Sequence, residues 1–190
     1  MDLVQIISQL LSVLVVIGQV VVIGSLALLV VKRKIVFNFF GKHAIVLIFI
    51  VALVSTLGSL FYSEVAGYEP CKLCWLQRIF MYPQVFLLGI ALWKKDKNIV
   101  DYSLVLSVIG ALIAGYHYLL QLGIAPELPC SAVGYSVACS KVFVMNFGYI
   151  TIPLMALTGV VMLILLGTYK KVWDKNSSKF PESSTNNSPK

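Results

Sequence analysis

Charge is scarce in this chain: lysine and arginine number 15 and aspartate and glutamate 8 among 190 residues, 12% together, against 59% hydrophobic residues. At a mean hydropathy of +0.91, the apolar runs are longer than a soluble domain can hide, which excludes a water-soluble fold. No acidic chain crosses the apolar segments, so ion-coupled transport has no carrier groups. Also missing are a P-loop, a dinucleotide-binding fingerprint and a metalloprotease motif. Cysteine is sparse, with 4 residues, and their placement carries most of the functional signal.

What the chain has instead is apolar length. A bilayer core about 30 Å thick needs roughly 20 apolar residues per helix, and five stretches qualify: 3–31, 44–62, 75–93, 99–120 and 142–169. The first begins at Asp2 rather than with a basic region and runs about twice the length of a signal-peptide core, so it is expected to be a retained helix. The expected architecture is an all-α integral membrane protein. Residues 44–171 form a four-helix transmembrane bundle, residues 1–43 an extra N-terminal transmembrane helix with its loop, and residues 172–190 a mobile tail without apolar periodicity. Pro83 and Pro153 fall inside spans and predict kinks. Gly110 with Ala114, and Ser55 with Ser59, have the small-residue spacing that lets helices approach closely in lipid.

Basic residues set the orientation. Lys32, Arg33, Lys34 and Lys42 share one connecting region, Lys94, Lys95 and Lys97 another, and Lys170, Lys171, Lys175, Lys179 and Lys190 the tail, which predicts that these segments are cytoplasmic. The N-terminus and all four cysteines then face outside. The net charge of +7 reflects this asymmetry and attraction to anionic lipid heads, with no nucleic-acid partner implied.

The chemistry begins in the string PCKLCWLQR. Proline favours the first helical position, so Pro70 is expected to open the third helix and place Cys71 and Cys74 in its first turn, where partial positive charge favours thiolate. Cys71, Cys74 and Arg78 then fall on one stripe. An arginine so close to hydrocarbon is a functional candidate, with snorkelling to the headgroups as the ordinary alternative. Trp75 belongs by default to the interfacial aromatic belt, yet its place beside Cys74 suits it to cover a flat ligand. His117, one turn before Gln121, is expected to face the Cys74 and Arg78 stripe and to relay a proton or donate to a carbonyl oxygen; a satisfied interior histidine is the alternative. Cys130 and Cys139 bound a short polar loop in PCSAVGYSVAC. Their sulfurs are expected to stand in water, meeting a soluble protein, while the membrane pair meets a lipid-soluble oxidant.

The combination of PCKLCWLQR at a helix start, YHYLLQ at 116–121 and the downstream pair Cys130 and Cys139 before a final span resembles the DsbB and BdbC family of disulfide bond formation proteins, closest to its compact BdbC-like members. The resemblance implies a membrane thiol-disulfide oxidoreductase in the bacterial cytoplasmic membrane that reoxidises a DsbA-like thioredoxin-fold partner and passes electrons to a quinone, either ubiquinone or menaquinone. It implies that Cys130 and Cys139 accept electrons from the partner, with Cys130 attacked first, and that Cys71 and Cys74 reoxidise that pair, with Cys74 nearest the quinone. Arg78 and His117 resemble the family's quinone-site residues. The family core has four spans, so the first helix is additional. A vitamin K epoxide reductase-like enzyme is the alternative within redox chemistry; a channel or scaffold with structural disulfides or a Cys-ligated zinc is the alternative outside it.

Overall fold

The computed structural model describes residues 3–30, 34–96, 98–126 and 138–179. Five long helices follow in order: α1 (Leu3–Val30), α2 (Lys34–Leu60), α3 (Lys72–Lys94), α4 (Ile99–Gln121) and α5 (Ile152–Lys179). All five contain a stretch long and apolar enough to cross a membrane. The protein is an all-α, multi-pass membrane protein, and no strand occurs among the described residues.

The bundle core forms where α2, α3 and α5 press their small and branched residues together. Ala44, Ile48 and Ala52, spaced by single helical turns on α2, meet Met81 and Leu88 of α3 and Val160, Leu163 and Leu166 of α5. Large apolar side chains such as Phe86, Leu112 and Trp93 point outward, as expected where the solvent is lipid. Gly110 of α4 admits Val160 of α5, and Gly159 of α5 lies against Ser55 of α2, so these members of the small-residue pairs do mark close helix approaches. Gln84, next to Pro83 inside α3, accepts from Ser103 Oγ at 2.7 Å and Ser107 Oγ at 3.3 Å, a polar lock between α3 and α4.

Two expectations about α5 need correction. The helix begins at Ile152, not near 142, because Asn146, Phe147 and Gly148 make a tight turn: Phe147 and Gly148 have φ of 52° and 77°, and Asn146 and Ile150 exchange backbone hydrogen bonds of 3.0 and 2.9 Å. Pro153 therefore sits in the first turn, where a missing N–H costs nothing, and makes no kink. At the other end the helix continues to Lys179. Trp173 packs directly over Gly41, and Lys170 pairs with Asp174 at 2.7 Å, so the stretch expected to be mobile is helical to that point. The expected tail beyond it, 180–190, lies outside the described residues.

α1 is docked rather than loose. Ser8, Ser12 and Gln19 form a polar stripe on it: Asn146 Nδ2 donates to Ser8 Oγ at 2.9 Å and Ser12 Oγ at 2.7 Å, Tyr62 Oη donates to Ser8 Oγ at 3.2 Å, and Tyr149 Oη donates to Gln19 Oε1 at 3.0 Å. Near its other end, Tyr169 Oη donates to the Ser25 carbonyl at 2.9 Å. α1 thus runs parallel to α5. Lys171 of α5 pairs with Asp101 of α4 at 2.7 Å, so the basic ends of α3 and α5 and the start of α4 share one end of the bundle. The start of α3 and the end of α4 share the other, which carries the cysteines.

Candidate functional site

Helix α3 opens later than its proline suggests. Cys71 is the residue capping its N-terminus, with extended backbone (φ −71°, ψ 172°), and its carbonyl accepts from Trp75 N–H at 3.1 Å. Pro70 lies outside the helix, in the extended run that follows a left-handed turn at Gly67 (φ 68°). The two sulfurs nevertheless meet as the C-x-x-C spacing requires. Cys71 Sγ donates to Cys74 Sγ across 3.4 Å, a separation that must close to about 2.05 Å for a disulfide bond. That bond from Cys71, with burial reinforcing it, pushes the Cys71 thiol up to about 12. The helix-terminal lowering expected for Cys71 is therefore overridden, because its proton is held by its neighbour and its surroundings exclude water.

The cysteines look in different directions. Cys71 is buried with Leu73, Leu120 and Cys139. His117, only 2% exposed, places Nε2 at 3.7 Å from Cys71 Sγ and 3.1 Å from the Cys139 carbonyl oxygen, while Nδ1 faces Gln77 Nε2 at 3.0 Å. The tautomer with its proton on Nε2 satisfies both short contacts, donating to the carbonyl and accepting from the Gln77 amide. Gln121 Nε2 donates to the Lys141 carbonyl at 3.1 Å, holding the segment that carries Cys139.

Cys74, which also packs against the cluster around Cys71, lines a mainly apolar cavity of about 360 Å³ bounded by all five helices. Arg78 stands at the same wall. Its Nε donates to Ser59 Oγ and its Nη2 to the Ser59 carbonyl, both at 3.1 Å, and Tyr82 Oη donates to the same Ser59 hydroxyl at 3.1 Å. The guanidinium also lies 5.2 Å from the Trp75 ring centroid and 5.9 Å from that of Tyr82. No carboxylate pairs with Arg78 among the described residues, so its charge is held by neutral acceptors and ring faces.

Cys74 and Arg78 share the cavity wall, on the stripe expected for them. His117 comes within 4.8 Å of both sulfurs, but its hydrogen-bond partners are Gln77 and the Cys139 carbonyl, and it reaches the cavity wall only through Gln77, which does line it. Trp75 lies over Arg78 and is outside the cavity lining. Cys139 is 3% exposed, not set in water as expected, since its segment folds inward against Cys71. Cys130 lies outside the described residues. Gln77 and Ser59 emerge as contacts that sequence reasoning passed over; Gln77 carried a signal, as an amide inside a span between two candidate residues.

Thiols that a small closing movement would join, backed by another cysteine at the end of an apolar helix bundle, are equipped for disulfide exchange. The class is that of membrane thiol-disulfide oxidoreductases. A family model described as Disulfide bond formation protein DsbB matches residues 41–169, and the chain belongs to that family. It is 47% identical over 112 residues to Probable disulfide formation protein C 1 of Bacillus anthracis, covering 59% of this chain and 80% of the relative. It is 42% identical over 129 residues to Disulfide bond formation protein C of Bacillus subtilis, covering 65% and 91%. The SPbeta prophage-derived disulfide bond formation protein B of Bacillus subtilis is 41% identical over 126 residues, covering 66% and 84%. No solved structure matches the chain significantly. The protein is a disulfide-forming membrane oxidoreductase, and helix α1 lies before the matched region.

Proposed function

We propose that the protein oxidises an extracytoplasmic thioredoxin-fold partner of DsbA type and delivers the electrons to a membrane quinone. One observation carries the reading: the dithiol bridges two environments, with Cys71 buried beside Cys139 and Cys74 both touching that cluster and lining the apolar cavity beside Arg78. A quinone fits that cavity, since its wall is apolar apart from a few groups near Cys74, and Arg78 offers a cation to a ring oxygen gaining negative charge. When bound, a quinone supplies a two-electron, two-proton oxidant.

The chain's own residues perform the sulfur exchange. The partner's dithiol reduces the Cys130–Cys139 disulfide and leaves as a disulfide. The two loop thiols then reduce the Cys71–Cys74 disulfide, re-forming their own S–S bond and leaving Cys71 and Cys74 as the dithiol that the quinone reoxidises. Each exchange breaks one S–S bond and forms another, and two electrons and two protons move on each time. His117 holds its Nε2–H 3.7 Å from Cys71 Sγ, placed to donate to this sulfur when it leaves as a thiolate. In this reading the protein sits in the bacterial cytoplasmic membrane, and the positive-inside pattern supports a cysteine end facing out of the cytoplasm.

The test is to mix purified protein, a reduced thioredoxin-fold partner and a ubiquinone or menaquinone analogue, and to follow quinone absorbance. Cys130→Ser is expected to lose turnover with the partner while a small dithiol still drives quinone reduction. A protein that reduces neither quinone refutes the reading. A second reading rests on one distance: the donor atoms of Cys71, Cys74 and His117 lie within 4.8 Å of one another, close enough for a metal ion. It requires Nε2 to abandon the Cys139 carbonyl, and metal analysis of the reduced protein decides it.

A further inference from the structure

Helix α1 has a place in the architecture that the exchange chemistry leaves unused. It lies outside the matched family region, which begins at residue 41, yet six of its residues, Leu11, Leu14, Val15, Ile17, Gly18 and Val21, form one wall of the cavity that Cys74 and Arg78 also line. The polar stripe of Ser8, Ser12 and Gln19 faces Asn146, Tyr62, Tyr149 and Thr158, which fixes the rotation of α1 and presents its purely apolar face to the cavity. Gly18 carries no side chain where Met162 and Thr158 of α5 come close, which permits the approach. At the cysteine end Leu11 touches Gly58 of α2. On α2 the lining runs from Val51 to Ser59, about 12 Å of helix at 1.5 Å per residue. The charged and amide groups of the lining, Glu69, Gln77 and Arg78, lie near Cys74, while the deeper part against α1 is apolar apart from the hydroxyls of Ser55 and Thr158.

We infer that α1 forms the wall of a subsite for the ring-proximal isoprenoid units of the quinone, so that this helix makes the enzyme selective for quinones carrying a tail. The inference rests on the quinone reading above. A single branched chain is the occupant that matches the shape. The slot is one apolar lane continuous with the redox sulfur, and 360 Å³ has no room for the two chains and headgroup of a phospholipid. Without α1, the same face of α2 and α5 would open to lipid and the tail would gain little by leaving it, since lipid is as apolar as the wall. A fixed wall adds shape, and with it discrimination by packing.

The test uses the full chain in phospholipid vesicles, with Leu14→Trp and Val21→Trp to fill the lane. Val20→Trp is the control on the same helix, because Val20 is exposed and outside the lining. A tailless quinone and one with several isoprene units are compared as electron acceptors. Filling the lane is expected to raise KM for the isoprenoid quinone about tenfold, the loss expected when a few methylene-sized groups are displaced from an apolar site. KM for the tailless quinone and all constants of Val20→Trp are expected to match the parent. Independently of turnover, an isoprenoid quinone with a photoreactive group on its tail is expected to label residues 11–21 of the parent, and to lose that labelling in Leu14→Trp. Equal KM changes for both quinones, no change in either, or labelling of α1 by a photoreactive phospholipid that quinone does not displace overturns the inference. A parent that reduces both quinones while Leu14→Trp fails to discriminate sinks the α1 subsite alone; a parent that reduces neither sinks the quinone reading with it.

Discussion

Two residues separate Cys71 from Cys74, and although their sulfurs meet, their surroundings differ. Cys71 is closed in: Leu73, Leu120 and another cysteine pack beside it, and an imidazole held between an amide and a carbonyl faces its sulfur. Cys74 opens instead on a mainly apolar cavity whose polar lining includes Glu69, Gln77 and the Arg78 guanidinium held by Ser59. The difference teaches that a C-x-x-C pair at a helix start can serve as a partition. The capping residue points back along the chain entering the helix, and the residue in the first turn points along the helix surface. On the function proposed above, protons and protein sulfurs would be handled on one side and the apolar oxidant on the other.

The largest way to break this partition is to remove a sulfur. Cys71→Ser and Cys74→Ser each remove the Cys71–Cys74 disulfide that links the loop pair to the quinone, and turnover is expected to vanish in the quinone absorbance assay. Next comes the cation. Arg78→Ala is expected to slow quinone-dependent reoxidation of Cys71 and Cys74 by about 10²-fold, the scale of one lost charge-stabilising donor, while mass-shift alkylation still finds both disulfides able to form. Unchanged turnover in that variant defeats the role given to Arg78.

His117→Ala acts on the other side. It is expected to slow exchange between the cysteine pairs by about tenfold to a hundredfold, at the lower end of what positioned acid-base groups supply, with KM for quinone unchanged in steady-state measurements. An effect on that KM alone would erase the distinction between the two sides.

Acidity offers a subtler probe. The folded Cys71 thiol lies near 12, chiefly through its bond to Cys74, so it stays protonated at pH 8.5 and reacts slowly with iodoacetamide. Losing that bond lowers the value. Cys74→Ala is therefore expected to move the rise of Cys71 alkylation to lower pH, toward the free-thiol value of about 8.5 but short of it because burial remains. A pH profile of alkylation followed by mass spectrometry checks the sign. Smallest is the effect of Asn146→Ala, which removes the donor to Ser8 and Ser12. It is expected to destabilise by about 1 kcal/mol, in the range of polar contacts between membrane helices, measured by unfolding in detergent.

Much of this was legible in the residues. Apolar length alone located five helices, because a bilayer sets a length requirement that composition either meets or does not. The adjacency of Cys71 and Cys74 followed from their spacing, and Arg78 stood out as a charge in hydrocarbon. Less legible was the start of α5. Val142, Phe143, Val144 and Met145 look helical by hydropathy, and the Asn146–Gly148 turn that ends their run depends on pairing with Ile150. The polar stripe of α1 was also passed over, since Ser8 and Ser12 become informative only when Asn146 is set opposite them.

By itself the sequence determined the solvent, the number of helices, the orientation signal in its lysines and the pairing of two sulfurs, all properties of local pattern and of transfer between water and lipid. Only the tertiary structure decided that His117 attends Cys71 and not Arg78, that Cys139 is folded inward, and that α1 walls the cavity beside Cys74. Those depend on which helix faces meet. In a bilayer that choice is made by packing and a handful of hydrogen bonds, because lipid is as apolar as the helices and hydrophobicity no longer distinguishes one face from another.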